Sequence, residues 1–249
     1  MSTAHTAFEA RPETTGKPNQ QWPRLLALGA VAGPALFTAA WIILGAISPG
    51  YTVAGTWISP YSPITQPISG LGLGETGPYM NSVFVISGLL LLTGVIGVVR
   101  TLPPGGRPVG RVASLILLAL SPIGLIVIGF FTLDAALMHT LGAMLILATP
   151  VISFLVTGLH VRRLPGWRAL GNGLMMAAPL TLVLFVAYTM SFNQAAVAAG
   201  HGIAGLTQRV LFVEIWTWFV AMGWHAWRPN RRSVHRDSSS AGSHRSSDL

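Results

Sequence analysis

Six stretches of about twenty apolar residues, separated by polar or charged turns, recur along this chain and constrain its fold more than any other feature. They fall at 25–47, 79–99, 112–131, 136–160, 170–191 and 208–227. A helix rising 1.5 Å per residue needs about twenty residues to cross a hydrocarbon layer ~30 Å thick. No water reaches that layer, so each segment must satisfy its own backbone N–H and C=O groups, which selects helices. Only 9% of the residues are charged and 51% are hydrophobic, against about 25% charged in a soluble domain. The fold class read from this is all-α: a polytopic integral membrane protein built as a six-transmembrane-helix bundle.

The organisation follows from the same pattern. Residues 1–23 and 229–249 are polar and read as disordered cytoplasmic tails, flanking a membrane domain at 24–228. The first apolar stretch is too long, and its polar lead too extended, for a cleaved signal peptide. The longest internal loop, 48–78, is rich in Pro, Gly, Ser and Thr. Its Gly70-Leu71-Gly72-Leu73-Gly74 run lacks the Lys-Ser/Thr ending of a phosphate-binding loop. Pro34, Pro122, Pro150 and Pro179 lie inside four different spans, where they serve as packing kinks or as hinges. Gly29 and Gly33 place two small residues one turn apart on the first helix, a face on which another helix can approach closely.

Charge placement orients the bundle. With six spans and the N-terminus inside, the inner segments hold fourteen of the fifteen Lys and Arg residues, and only Arg209 falls outside. Basic residues accumulate on the cytoplasmic side, so both termini are expected there, in the inner (plasma) membrane of a bacterium. The same distribution explains the net charge of +8 without a nucleic-acid partner. With no cysteine in the chain, disulfides, thiol nucleophiles and thiolate metal sites are excluded.

An ionisable side chain inside a span costs a few kcal/mol on insertion scales and needs a partner or a purpose. Asp134, His139, Arg209 and Glu214 are the four candidates, all toward the outer side. Arg209 and Glu214 are five residues apart and diverge by about 140° around a helix, so each wants a partner elsewhere. Matched depth and opposite charge suggest Arg209 with Asp134 or a lipid headgroup, and Glu214 with His139. Each also has a plainer reading: Asp134 as a helix N-cap, Arg209 as a snorkelling side chain, His139 as a hydrogen-bonded core residue, Glu214 as a protonated structural donor. Asp134, His139, His201 and Glu214 carry ligand-type atoms, but no paired-His spacing is present and no metal or cofactor is assigned. Ser69, Ser82 and Ser87 have nothing to tie them to His139 as nucleophiles.

Several segments together resemble a known family. They are Ser48-Pro49-Gly50-Tyr51, Gln66-Pro67-Ile68-Ser69-Gly70-Leu71, Asn81 with Ser87-Gly88-Leu89-Leu90, Phe131-Thr132-Leu133-Asp134, His139, and Gly205-Leu206-Thr207-Gln208-Arg209-Val210. In order and spacing they resemble the bacterial domain-of-unknown-function family 998, over about 25–227. The resemblance implies a six-helix membrane domain and brings no activity with it. This chain departs from the family pattern at Gly70, where an Asp is usual, and at Thr132, where a Pro is usual.

Three functions remain open on sequence. The leading one is binding or moving a small solute or lipid at a site open to the outer face and lined by Asp134, His139, Arg209 and Glu214. The second is an intramembrane enzyme acting on lipids, with His139 and Glu214 as acid and base. The third is an accessory subunit whose Gly29/Gly33 face binds another membrane protein.

Overall fold

The computed structural model describes residues 21–228; of the expected tails, 1–20 and 229–249 lie outside the described residues, whereas 21–23 belong to the first helix. The described chain is all-α apart from one short hairpin. The first apolar stretch forms α1 (Gln21–Ala27) and α2 (Gly29–Ile47), separated by a break at Leu28. Then come α3 (Gly77–Thr101), α4 (Pro108–Phe130), α5 (Ala136–Leu147), α6 (Thr149–Val161) and α7 (Arg168–Ser191). A five-residue helix, α8 (Gln194–Ala198), precedes the final helix, α9 (Ala204–Trp227).

Five helical stretches are long and apolar enough to cross a membrane: Gln21–Ile47, Gly74–Thr101, Pro108–Phe130, Ala136–Val161 and Arg168–Ser191. The chain is therefore a polytopic membrane protein. Its exterior agrees, since Ile43, Ile86, Ile116, Ile152, Val183 and Val213 are exposed, as side chains meeting lipid are. At 24 residues α9 is as long as α7, yet it falls short in apolarity because Gln208, Arg209, Glu214 and His225 lie along it. It packs against α1, α2, α3 and α7, which buries Gln208 and Arg209 and half-buries Glu214, while His225 stays exposed. Half of its residues are buried, including Phe212, Ile215, Trp216 and Phe219. Phe37 of α2 seals this centre, its ring 5.5 Å from that of Phe84, 5.1 Å from Phe212 and 5.7 Å from Trp216.

The small-residue face of the first span is consumed inside the bundle. A Cβ on Gly29 would collide with the Leu90 carbonyl oxygen, and one on Gly33 would lie 2.7 Å from that of Ser87. Only glycine lets the α2 and α3 backbones come this close.

The prolines act differently from one another. Pro34, Pro122 and Pro179 sit inside continuous helices. Pro150 has no N–H to offer the Ile146 carbonyl, and the expected fourth span breaks beside it, at Ala148. The Thr149 hydroxyl donates to the Leu145 carbonyl at 2.6 Å, satisfying one group at the break.

The two ends of the bundle differ in kind. One carries the turns 102–107 and 162–167 with Arg100, Arg107, Arg111, Arg162, Arg163 and Arg168; Arg111 donates to the Leu102 and Pro103 carbonyls there. The other end carries the long 48–76 segment, which is ordered. Its strands β1 (Tyr51–Val53) and β2 (Thr56–Ile58) pair antiparallel. Ala54 and Gly55 at φ 47° and 77° form the two-residue turn between them. Two 3₁₀ turns, Ile68–Gly72 and Gly74–Thr76, follow. Ile68, Gly70, Leu71 and Gly72 are buried, so this stretch dips into the bundle against α2, α3 and α9. A Cβ at Gly70 would lie 2.6 Å from the Tyr51 ring. A side chain larger than glycine's hydrogen therefore has no room here unless the Tyr51 ring shifts.

Candidate functional site

The pairings expected among the four ionisable residues are not formed. Arg209, 6% exposed, sits on the first turns of α9 and faces the long loop. Its Nη1 donates to the carbonyls of Pro63 (2.7 Å), Gln66 (3.0 Å) and Gly205 (2.8 Å), and its Nη2 to the Tyr61 hydroxyl. The guanidinium also lies over the Trp41 ring, 5.1 Å from its centroid, a placement that stabilises a desolvated cation. It makes no salt bridge among the described residues. Carbonyl dipoles and aromatic faces compensate the charge in place of the expected carboxylate, and a snorkelling role is excluded by its burial. Arg209 is a clamp on the loop.

Burial pushes the Tyr61 phenol above its ordinary value, with the Arg209 charge opposing part of the rise. Tyr51, whose ring centroid is 6.4 Å from that of Tyr61, is raised further by its own burial. Both stay neutral and available as hydrogen-bond donors, and Tyr61 uses this to reach the Pro67 carbonyl at 3.3 Å.

Glu214 turns toward α7. Its Oε2 accepts from the Thr181 hydroxyl at 2.9 Å, and that hydroxyl is shared with the Ala177 carbonyl. The carboxyl is half-buried and has no bond to His139. Asp134 is exposed at the α4–α5 turn, and α5 starts without a side-chain cap. Neither the expected ion pair nor the expected N-cap is realised there. Among the described residues no three His, Asp or Glu side chains gather as metal ligands would.

His139 stands apart from the other three. Its Nδ1 lies 2.8 Å from the Phe131 carbonyl oxygen. Because a carbonyl only accepts, Nδ1 carries the proton. The ring lines a cavity of about 290 Å³ at the loop end of the bundle, between the 67–69 segment, α3, α4, α5, α7 and α9. Most of its wall is apolar, with Phe84, Ile128, Met144, Ile146 and Phe212 among the lining side chains.

The cavity exists because of the break at Ala148. Beyond it, α6 packs closely along α7, whereas α5 packs on α4 and leaves α7 almost untouched. Toward the loop end α7 therefore has hardly any contact with α5, and the cavity lies in the gap between them. Thr140 of α5 and Thr189 of α7 line the cavity and are exposed at its edge.

Two polar residues that carry no charge complete the wall. Gln208 is 6% exposed; its Oε1 accepts from the Ile68 N–H at 2.7 Å and its Nε2 donates to the Tyr188 hydroxyl at 3.3 Å. The Ile68 donor fixes which way the amide points. Neither Gln208 nor Tyr188 was selected on sequence, because the cost of burial was weighed only for ionisable groups. A Gln inside an apolar span, beside Arg209, was the available signal.

Over residues 31–225 the chain matches the model of the family described as protein of unknown function, DUF998. No curated protein and no solved structure matches it. The match runs from α2 to the last turns of α9 and takes in the loop segment, the clamp and the cavity wall. The chain, most of whose length the match covers, belongs to the DUF998 family.

Proposed function

We propose that this chain is a six-span membrane protein that receives an apolar chain, from a lipid or a lipophilic solute, in the cavity between α5 and α7. The observation that supports it is a cavity between α5 and α7 with a mostly apolar wall, a few polar groups, and exposed residues of both helices, Thr140, Met144 and Thr189, at its edge. Pockets for drug-sized ligands run from about 300 to 1,000 Å³. A cavity at the lower edge of that range suits one chain whose remainder stays in the bilayer. In this reading α9 is the sixth span, the arginine-rich end is cytoplasmic, and the cavity lies in the outer half of the membrane.

The other two readings have less support. His139 and Glu214 have separate partners, which removes the acid–base pair of the lipid-acting enzyme. The Gly29/Gly33 face is occupied by α3, which removes the surface on which an accessory role was argued.

The test is saturable binding of a fluorescent fatty-chain probe to the purified protein in nanodiscs. Ala143→Trp places an indole inside the cavity and should abolish binding while the thermal unfolding midpoint stays near that of the wild type. Probe binding unchanged by this variant would sink the reading.

A further inference from the structure

The hydrogen-bonding groups left over in the cavity define the head of the ligand, on the reading that the cavity binds one. In the neutral imidazole, Nδ1–H is spent on Phe131, so Nε2 is an acceptor. That atom has no partner among the described residues. The Tyr188 oxygen accepts from Gln208, and the hydroxyl hydrogen finds no acceptor among the described residues. Gln208 itself is engaged at both ends. Beside the hydroxyls of Ser69, Thr140 and Thr189, the wall therefore offers His139 Nε2 as an acceptor on α5 and the Tyr188 hydroxyl as a donor on α7.

Among the described residues no Lys or Arg lines the cavity with them. Arg209 follows Gln208 in sequence, but its guanidinium is turned to the loop and bound to three carbonyls and Tyr61. The charged residue next to the lining residue Leu133 is Asp134, a carboxylate that repels anions. A phosphate would enter this apolar site without a countercharge, and the loss of its hydration would oppose binding.

We infer that the cavity takes a long-chain ligand whose head is uncharged and bears a hydroxyl, a lipid alcohol by chemical class, with His139 Nε2 accepting from that head and Tyr188 donating to it. A hydroxyl is both donor and acceptor, which matches the two unpaired groups. An ether or ester head could only accept, and would leave His139 unpaired.

The experiment uses the full chain in nanodiscs and two photoactivatable probes of identical chain, a hexadecanol and its monophosphate ester, each with a mid-chain diazirine. The alcohol should label residues of α5 and α7 and be displaced by unlabelled hexadecanol, while the phosphate labels them at least tenfold less. Tyr188→Phe keeps the ring and should weaken the alcohol about tenfold, the loss of one hydrogen bond in an apolar site. His139→Asn keeps a donor at the δ position for Phe131, loses Nε2, and should act similarly. Phosphate labelling equal to or stronger than that of the alcohol, or full alcohol binding by both variants, would overturn the lipid-alcohol assignment and leave the cavity reading standing. Absence of α5 and α7 labelling by either probe would overturn the cavity reading itself.

Discussion

Replacing Arg209 by Ala should free the 61–67 segment from the bundle, and the size of the effect follows from its bonds. The guanidinium meets three carbonyl oxygens and one phenol. Gly205 lies one turn back on the same helix, so its carbonyl keeps an intrahelical partner. Tyr61 keeps its bond to Pro67. The Pro63 and Gln66 carbonyls lose their clamp, at about 1–3 kcal/mol for each buried unpaired group. Part of this returns, because the variant no longer buries a cation and the released loop can hydrate. A net cost of about 3 kcal/mol raises the open fraction of the loop about a hundredfold. Chymotryptic cleavage after Tyr61, run where reclosing outpaces cutting, reads that fraction directly. Arg209→Lys, which retains the charge but not the planar fork, should fall between. Cleavage of Arg209→Ala at the wild-type rate, or a Lys variant indistinguishable from wild type, would refute the clamp.

Gly205→Ala tests the other side of the same contact: its Cβ would lie 2.6 Å from the Pro63 oxygen and collide with that of Gln66, so loop cleavage should rise although every donor remains. Alkali should loosen the loop as well. Because burial raises the phenols of Tyr51 and Tyr61 above their ordinary 10.0, the unfolded loop ionises first. Its stability is full below about pH 10 and falls as pH climbs toward the raised folded values, so cleavage should be flat from pH 7 to 9 and then increase. The absence of cysteine makes orientation measurable by single replacements. In intact cells an impermeant maleimide should label Thr56→Cys and spare Arg163→Cys until the membrane is permeabilised, and the opposite pattern would invert the proposed topology.

The residues show which parts of this molecule were legible beforehand. Five of the expected spans coincide with helical stretches long and apolar enough to cross a membrane, with ends shifted by only a few residues. The Gly29/Gly33 face was recognised as a close-approach surface, although its partner was α3. The polar pairings failed because depth along a helix says nothing about azimuth: Arg209 and Asp134 were matched in depth, yet the arginine faces a loop about 145 residues away in sequence. The order of the long loop could not be read from its composition, since it comes from carbonyls that Arg209 of α9 satisfies. The cavity was invisible for a related reason. Pro150 was noted, but not that the break beside it would leave α5 and α7 with hardly any contact.

The sequence by itself determined the membrane and the helical class, because the cost of placing a residue in hydrocarbon is additive along the chain and needs no knowledge of neighbours. It also determined which residues would be expensive to bury. Only the tertiary structure decided what each of them does. Hydrogen bonds depend on direction over about 3 Å, and no count of residues fixes the rotation of one helix against another. That rotation made Arg209 a clamp and Glu214 a crosslink to α7, and it left His139 and Tyr188 lining one cavity.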